Sequence, residues 1–142
     1  MKYAILSDIH SNLEALKAVL RRLEEYSPDR YLCLGDIVGY GADPSPCIEL
    51  VRSLNPEIVL GNHDAAACGK ADLAYFNANA RTAALWTADE LSAEEKDYLA
   101  SLPLVKILDD ITLVHSSLRS PERWNYIMST ADALESFRRL EN

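Results

Sequence analysis

Residues Met1–Leu16 read MKYAILSDIHSNLEAL, and the fold turns on how this stretch divides. Tyr3–Leu6 is a short apolar run that stops at Ser7-Asp8. Ser11 and Glu14 then form an S-x-x-E pattern, which predicts a capping box opening a helix. Leu13, Leu16, Leu20 and Leu23 recur at helical spacing and give that helix one apolar face, and Ser27-Pro28 ends it. The alternation repeats. Tyr31–Leu34 is a strand closing on Gly35-Asp36, and Asp43 and Pro44 open a helix in which Cys47, Leu50, Val51 and Leu54 share a face. Glu57–Leu60 is a third strand, closing on Gly61-Asn62. This β-α-β-α-β order predicts parallel strands joined by right-handed crossovers, hence an α/β fold.

The rest of the chain changes character. Asn79–Thr87 is Ala-rich and helical, and Ser92 with Glu95 makes a second capping box before a helix that Pro103 stops. Leu104–Leu108 and Ile111–Val114 predict an antiparallel pair turning at Asp109-Asp110, and Thr130–Arg139 predicts a last helix. No repeat or linker interrupts the 142 residues, so 1–142 is read as one domain. Apolar residues make up 49% and charged residues 25%, which is globular composition and argues against disorder. With 14 Lys+Arg against 22 Asp+Glu the net charge is −8, which disfavours general nucleic-acid binding and attachment to anionic membranes. Cys33, Cys47 and Cys68 lack C-x-x-C spacing and read as reduced thiols, so a cytoplasmic location is expected. No stretch approaches a membrane span or a signal peptide.

The chemistry gathers behind the strands. Asp8-Ile9-His10 follows the first, Gly35-Asp36 the second, Gly61-Asn62-His63-Asp64 the third, and His115 follows the later strand. Open α/β sheets bind ligands outside the carboxyl ends of their strands. Singly, each residue has an ordinary reading: Asp8 as a helix cap, Asn62 as a turn residue, His115 as a satisfied core histidine. Their joint placement, with all three histidines of the chain at such ends, is what those readings fail to explain. Carboxylate, amide and imidazole donors together suit a borderline divalent metal such as Mn²⁺, Fe²⁺, Zn²⁺ or Ni²⁺. Two divalent ions against Asp8 and Asp36 would leave the site locally positive in an acidic protein, an address for phosphate.

The strings DIH (Asp8–His10), GDIVGYG (Gly35–Gly41), GNHD (Gly61–Asp64) and LVHSS (Leu113–Ser117) resemble the calcineurin-like metallophosphoesterases, most closely the small prokaryotic phosphodiesterase-type members. The resemblance runs from Met1 to about Ile127 and implies a two-sheet α/β/β/α sandwich. It implies two divalent ions, Mn²⁺ foremost: one held by Asp8, His10 and Asp36, the other by Asp36, Asn62 and His115. His63 would be no ligand but would serve the leaving oxygen as acid or charge stabiliser, with Asp64 orienting it. A metal-activated hydroxide would attack the phosphorus of a small phosphodiester in line.

The family closes its site with a Gly-His-x-His motif, and this chain has no histidine after His115. The expectation is therefore an incomplete second sheet, weakened metal binding and slow turnover. It also includes a homo-oligomer that covers the open edge of Ile111–Val114. The alternative is a short form that is inactive or weakly active and acts as a regulatory or structural protein. In the loop Ile37–Pro44, Tyr40 is read either as a substrate-stacking residue or as a cover over apolar surface. Trp86 and Trp124 are read as packing residues, and Arg119 and Arg123 as a solvated basic face. A Rossmann-like nucleotide-binding module fits the β-α-β-α-β order equally well, but SDIHSNLEAL has no glycine where G-x-G-x-x-G would stand.

Overall fold

A computed structural model describes residues 1–140. Strands β1 (Tyr3–Leu6), β2 (Arg30–Cys33) and β3 (Glu57–Ile58) form a parallel sheet in the order β1-β2-β3. Register pairs Tyr3 with Arg30, Leu6 with Cys33, and Cys33 with Ile58. Helices α1 (Leu13–Glu24) and α2 (Pro44–Ser53) are its crossovers. Helices α3 (Asn62–Ala67), α4 (Ala78–Glu90) and α5 (Ala93–Ser101) follow. Then β4 (Val105–Leu108) and β5 (Ile111–Val114) pair antiparallel around Asp109-Asp110, and α6 (Thr130–Phe137) comes last.

The parallel sheet is covered unequally. One face meets the main core, where Leu6, Cys33 and Ile58 pack with Leu16, Cys47, Ile48, Val51 and Leu99 from the helices. Fully burying an aliphatic side chain of this size contributes roughly 1.5–3 kcal/mol, so this layer dominates stability. The other face meets β4 and β5 through a smaller cluster, in which Leu32, Val59 and Leu113 are buried. The Lys106–Glu57 ion pair, 2.6 Å, ties the two sheets at their margin. On that second face Tyr3 of β1 packs against the cluster while Ile5 is 62% exposed, so the two-stranded sheet covers β1 only at its start. Strands, not a helix, occupy this face, which separates the fold from the Rossmann arrangement.

Several local expectations need correction. Ser11 does not cap α1. Asn12 does, its side-chain oxygen accepting from Ala15 N at 3.0 Å. Ser11 is committed elsewhere: its N–H donates to Ile37 O at 2.9 Å and its carbonyl accepts from Asp43 N at 3.1 Å, docking one loop on the next. Asp43 occupies the cap position of α2 but makes no side-chain capping bond. The third strand is two residues, not Glu57–Leu60. Val59 N still donates to Cys33 O at 3.0 Å, but Leu60 N turns away to Pro103 O at 2.8 Å. GNHD opens a helix not foreseen in the sequence: Gly61 stands at the N-cap of α3, and Asn62, His63 and Asp64 lie in its first turn. Trp86 is 40% exposed on α4 and is no core residue. The Ser92–Glu95 capping box forms as predicted, with Ser92 N to Glu95 Oε2 at 2.8 Å and Glu95 N to Ser92 Oγ at 3.3 Å.

Candidate metal centre

Beyond β1 and β2 the backbone keeps pairing after the regular strands end. Asp8 N donates to Gly35 O at 3.1 Å and His10 N to Asp36 O at 3.0 Å. The pairing holds two loops side by side in a conformation most residues avoid. Asp8, His10, Ser11, Asp36 and Tyr40 all have positive φ, between 49° and 60°. Such residues cost about 1–3 kcal/mol each unless the surroundings impose them. Their concentration in these two loops marks the site before any side chain is considered.

Asp36 is the centre of the cluster and is 2% exposed. Its Oδ1 accepts from His63 N at 2.8 Å. Its Oδ2 lies 3.7 Å from His10 Nε2 and 3.4 Å from His115 Nε2. Asp8 Oδ1 is 3.7 Å from His10 Nε2, and Asn62 Oδ1 is 3.0 Å from His115 Nε2. Asp8, His10, Asp36, Asn62 and His115 therefore converge at one end of the parallel sheet, as their positions in the sequence suggested. The close approach depends on Gly61, where a Cβ would stand 2.1 Å from Asp36 Oδ1.

Both flanking imidazoles are oriented through their far nitrogens. His10 Nδ1 donates to Val38 O at 3.1 Å, and His115 Nδ1 donates to Leu34 O at 2.6 Å. A carbonyl only accepts, so each Nδ1 carries the proton and each Nε2 faces the shared carboxylate. That is how a metal-binding histidine is usually held. Two groups of side chains come close enough to share an ion: Asp8, Asp36 and His115, and His10, Asp36 and His63. Asp36 belongs to both. The donor set thus fits a divalent metal, and the distances alone bring His63 as near as the others.

Electrostatics reinforce the geometry. Burial pushes the Asp36 carboxyl up, but the hydrogen bond and charge of His115 overcome it and hold the group below the usual carboxylate range. Burial works against the His115 cation too, yet its bond to Asp36 raises it to about 9. His63 is lowered, mainly by burial. Asp64 is fully buried and pushed up to about 7 by burial and by the charge of Asp36. Its oxygens accept from Val38 N at 3.0 Å and Gly61 N at 3.2 Å, so Asp64 ties the Gly35–Gly41 loop to α3. It makes no bond to the His63 ring, whose Nδ1 is buried without a partner. Any influence of Asp64 on His63 passes through that loop, where a Cβ on Gly39 would stand 2.8 Å from His63 Nδ1.

Two cavities open beside the cluster, and Tyr40 lines both. The larger, about 750 Å³, is walled by Asn62, His63, Phe76, Trp124 and Tyr126. The smaller, about 520 Å³, is walled by Asp8, His10, Glu14 and Asp43. The Tyr40 ring is 4.5 Å from that of His63 and 5.0 Å from that of His10. Trp124 packs on the main core, as read from the sequence, but also walls the larger cavity. Arg123 lines the same cavity, while Arg119 is exposed. Phe76 and Tyr126 carried no periodic signal. Only the pairing of Trp124 and Tyr126 around an Asn, in a segment without helical spacing, hinted at a surface role.

The family profile for calcineurin-like phosphoesterases matches residues 1–141. The uncharacterized protein MJ0912 of Methanocaldococcus jannaschii is 46% identical over 129 residues, covering 87% of this chain and 53% of its own length. A metallophosphoesterase from Sphaerobacter thermophilus has a crystal structure that superposes with a TM-score of 0.84 at 45% identity, over 100% of this chain and 57% of that one. A hypothetical protein from Pyrococcus horikoshii OT3, PH1004, shares the fold, with a TM-score of 0.80 at 22% identity over 96% of this chain and 64% of its own. The chain thus spans a little over half the length of the first two relatives. By the match over nearly its whole length, the chain belongs to the calcineurin-like phosphoesterase family.

Proposed function

We propose that this chain is a metal-dependent phosphoesterase acting on small phosphodiesters. Two divalent ions, Mn²⁺ foremost, would be held by Asp8, His10 and Asp36 and by Asp36, Asn62 and His115. The observation that carries the reading is the pair of imidazoles whose Nδ1 atoms are tied to backbone carbonyls while both Nε2 atoms face Asp36 Oδ2. Bound ions supply Lewis acidity to the phosphoryl oxygens and an activated water. The protein does the rest. Asp36 would serve both ions, Asp8 and Asn62 would complete the donors at the rim, and the loop bonds of Asp64 keep the Asp36 loop and α3 in register.

His63 is the residue for the leaving oxygen. Burial keeps its ring neutral near pH 7. With Nδ1 packed against Gly39, Nε2 is the nitrogen free to donate a hydrogen bond as charge builds on that oxygen. A diester carries two arms, and a cavity opens on either side of Tyr40. This supports a diester over a monoester, which would leave one cavity unused. The test compares bis(p-nitrophenyl) phosphate with p-nitrophenyl phosphate in Mn²⁺ and in EDTA. Hydrolysis of the diester in Mn²⁺ only, faster than of the monoester, is the expected result. Turnover unaffected by EDTA would overturn the metal reading, and preference for the monoester would overturn the diester reading.

A further inference from the structure

We propose that the cavity walled by Phe76, Trp124 and Tyr126 is the subsite for a flat, aromatic, uncharged ester arm of nucleobase size. The position of the phosphate rests on the phosphoesterase reading above, but the choice of arm rests on the cavity alone. Its walls are rings. The series starts at His63, whose ring is 5.1 Å from Phe76 in an edge-on contact and 4.5 Å from Tyr40. It continues across the cavity to Trp124 and to Tyr126, which is 82% exposed at the mouth. Aromatic side chains left open around a cavity next to a reactive centre suit a stacked ring.

The Trp124 platform is fixed. Ser120 and Trp124 have φ of 52° and 47° on either side of the short turn Pro121–Arg123, a strained conformation for residues other than glycine. One side of Trp124 packs against the main core, and Asn125 Nδ2 donates to Arg119 O at 3.3 Å to close the loop. The strain is thus held by structure that presents the indole to the cavity.

Charge decides the arm's chemistry. The cations on this cavity, Lys70 and Arg123, are matched by the anions Asp72 and Glu122. Lys70 is moreover engaged with the carbonyl of Ala100. The smaller cavity carries Asp8, Glu14 and Asp43. Neither cavity offers unmatched positive charge to a further phosphate, so an arm bearing a polyphosphate is disfavoured. The amides of Asn77 and Asn125 remain at the larger cavity to meet polar ring edges.

The test uses the metal-free protein, so failure of the metal reading cannot hide the result. The sequence has two tryptophans, and Trp86 does not line the cavity, so Trp86→Phe leaves Trp124 as the reporter. Adenosine, ribose and adenosine triphosphate are titrated against its fluorescence in EDTA. Equilibrium dialysis of adenosine against the unaltered chain guards against a misfolded variant. Adenosine should quench saturably, with Kd on the order of a millimolar for so small a fragment. Ribose should not bind, and Tyr126→Ala should weaken adenosine about 5- to 100-fold. Failure of adenosine to bind in both assays, equal affinity in Tyr126→Ala, or tighter binding of the triphosphate would overturn the proposal. Mn²⁺-dependent hydrolysis would then stand or fall separately.

Discussion

The two walls of the site are built differently. The first, from Asp8 to Tyr40 with the start of α3, is an extension of the core. Ile37 and Val38 are fully buried, and Asp36 and Asp64 fix the backbone of His63, Val38 and Gly61 from within. The second wall, which follows β5, reaches the cluster through His115 alone, anchored on Leu34 O. Beyond it Tyr126 and Met128 are 82% and 84% exposed. In the first wall fold and chemistry are the same bonds, so a change there costs both. In the second they are separable at its exposed residues, where a change such as one at Tyr126 alters what is bound and spares the fold.

The hardest blow to this contrast should come at Asp36. Asp36→Ala removes the counter-charge of His115 and the acceptor of His63 N, and breaking a buried ion pair typically costs about 3–5 kcal/mol. Thermal denaturation should show that loss together with loss of Mn²⁺ binding. A stable variant would mean that the first wall is not part of the core. Gly39→Ala is the next largest. Its φ of 95° strains any other residue, and the added Cβ would displace His63. A destabilisation of about 1–3 kcal/mol is expected, with turnover falling more than Mn²⁺ affinity. Equal falls in both would show that His63 holds metal.

A pH titration of the metal-free protein probes the single anchor of the second wall. His115 is raised from 6.5 to about 9, so its contribution is complete below 6.5 and is lost as pH rises through 9. Asp64 acts in the opposite sense to a paired carboxylate. Its pKa is raised to about 7, so ionisation costs stability between its unfolded value and 7, and that loss is complete above neutrality. Between pH 7 and 9 the fall in urea stability should therefore belong to His115, and it should flatten in His115→Gln. Thiols report more gently on the first wall. Burial pushes Cys33 up to about 12 and Cys47 up to about 11. A thiol reagent at pH 8 should reach half-buried Cys68 first and the other two only on unfolding. The smallest effect is Tyr126→Ala, which should shift the urea midpoint by under about 0.5 kcal/mol equivalent, as expected for an exposed site.

The two walls were also unequally legible in the sequence. The first follows from strand ends: an apolar run, then Asp-x-His, Gly-Asp or Gly-Asn-His, each delivered to one edge by parallel crossovers. The placement of His115 came from the same rule. What stayed hidden was set by tertiary contacts. Ser11 looked like a cap because local spacing cannot show that its backbone is claimed by Ile37 and Asp43. The helix that GNHD opens went unread because six residues are too few for a period, and it is stabilised by Asp64 bonding back to Gly61 N. The Phe76–Trp124 cavity was invisible because its walls lie 48 positions apart, in irregular segments separated by α4, α5, β4 and β5.

Calorimetric titration of the metal-free protein with Mn²⁺, run at pH 7.5 in two buffers of different ionisation enthalpy, tests the central claim most directly. It counts both ions bound and protons released. His115 is protonated at that pH without metal and must shed the proton to bind through Nε2. The account predicts two Mn²⁺ per chain, about one proton released, and loss of saturable binding in Asp36→Asn. No saturable binding, or binding undiminished by that substitution, would contradict it.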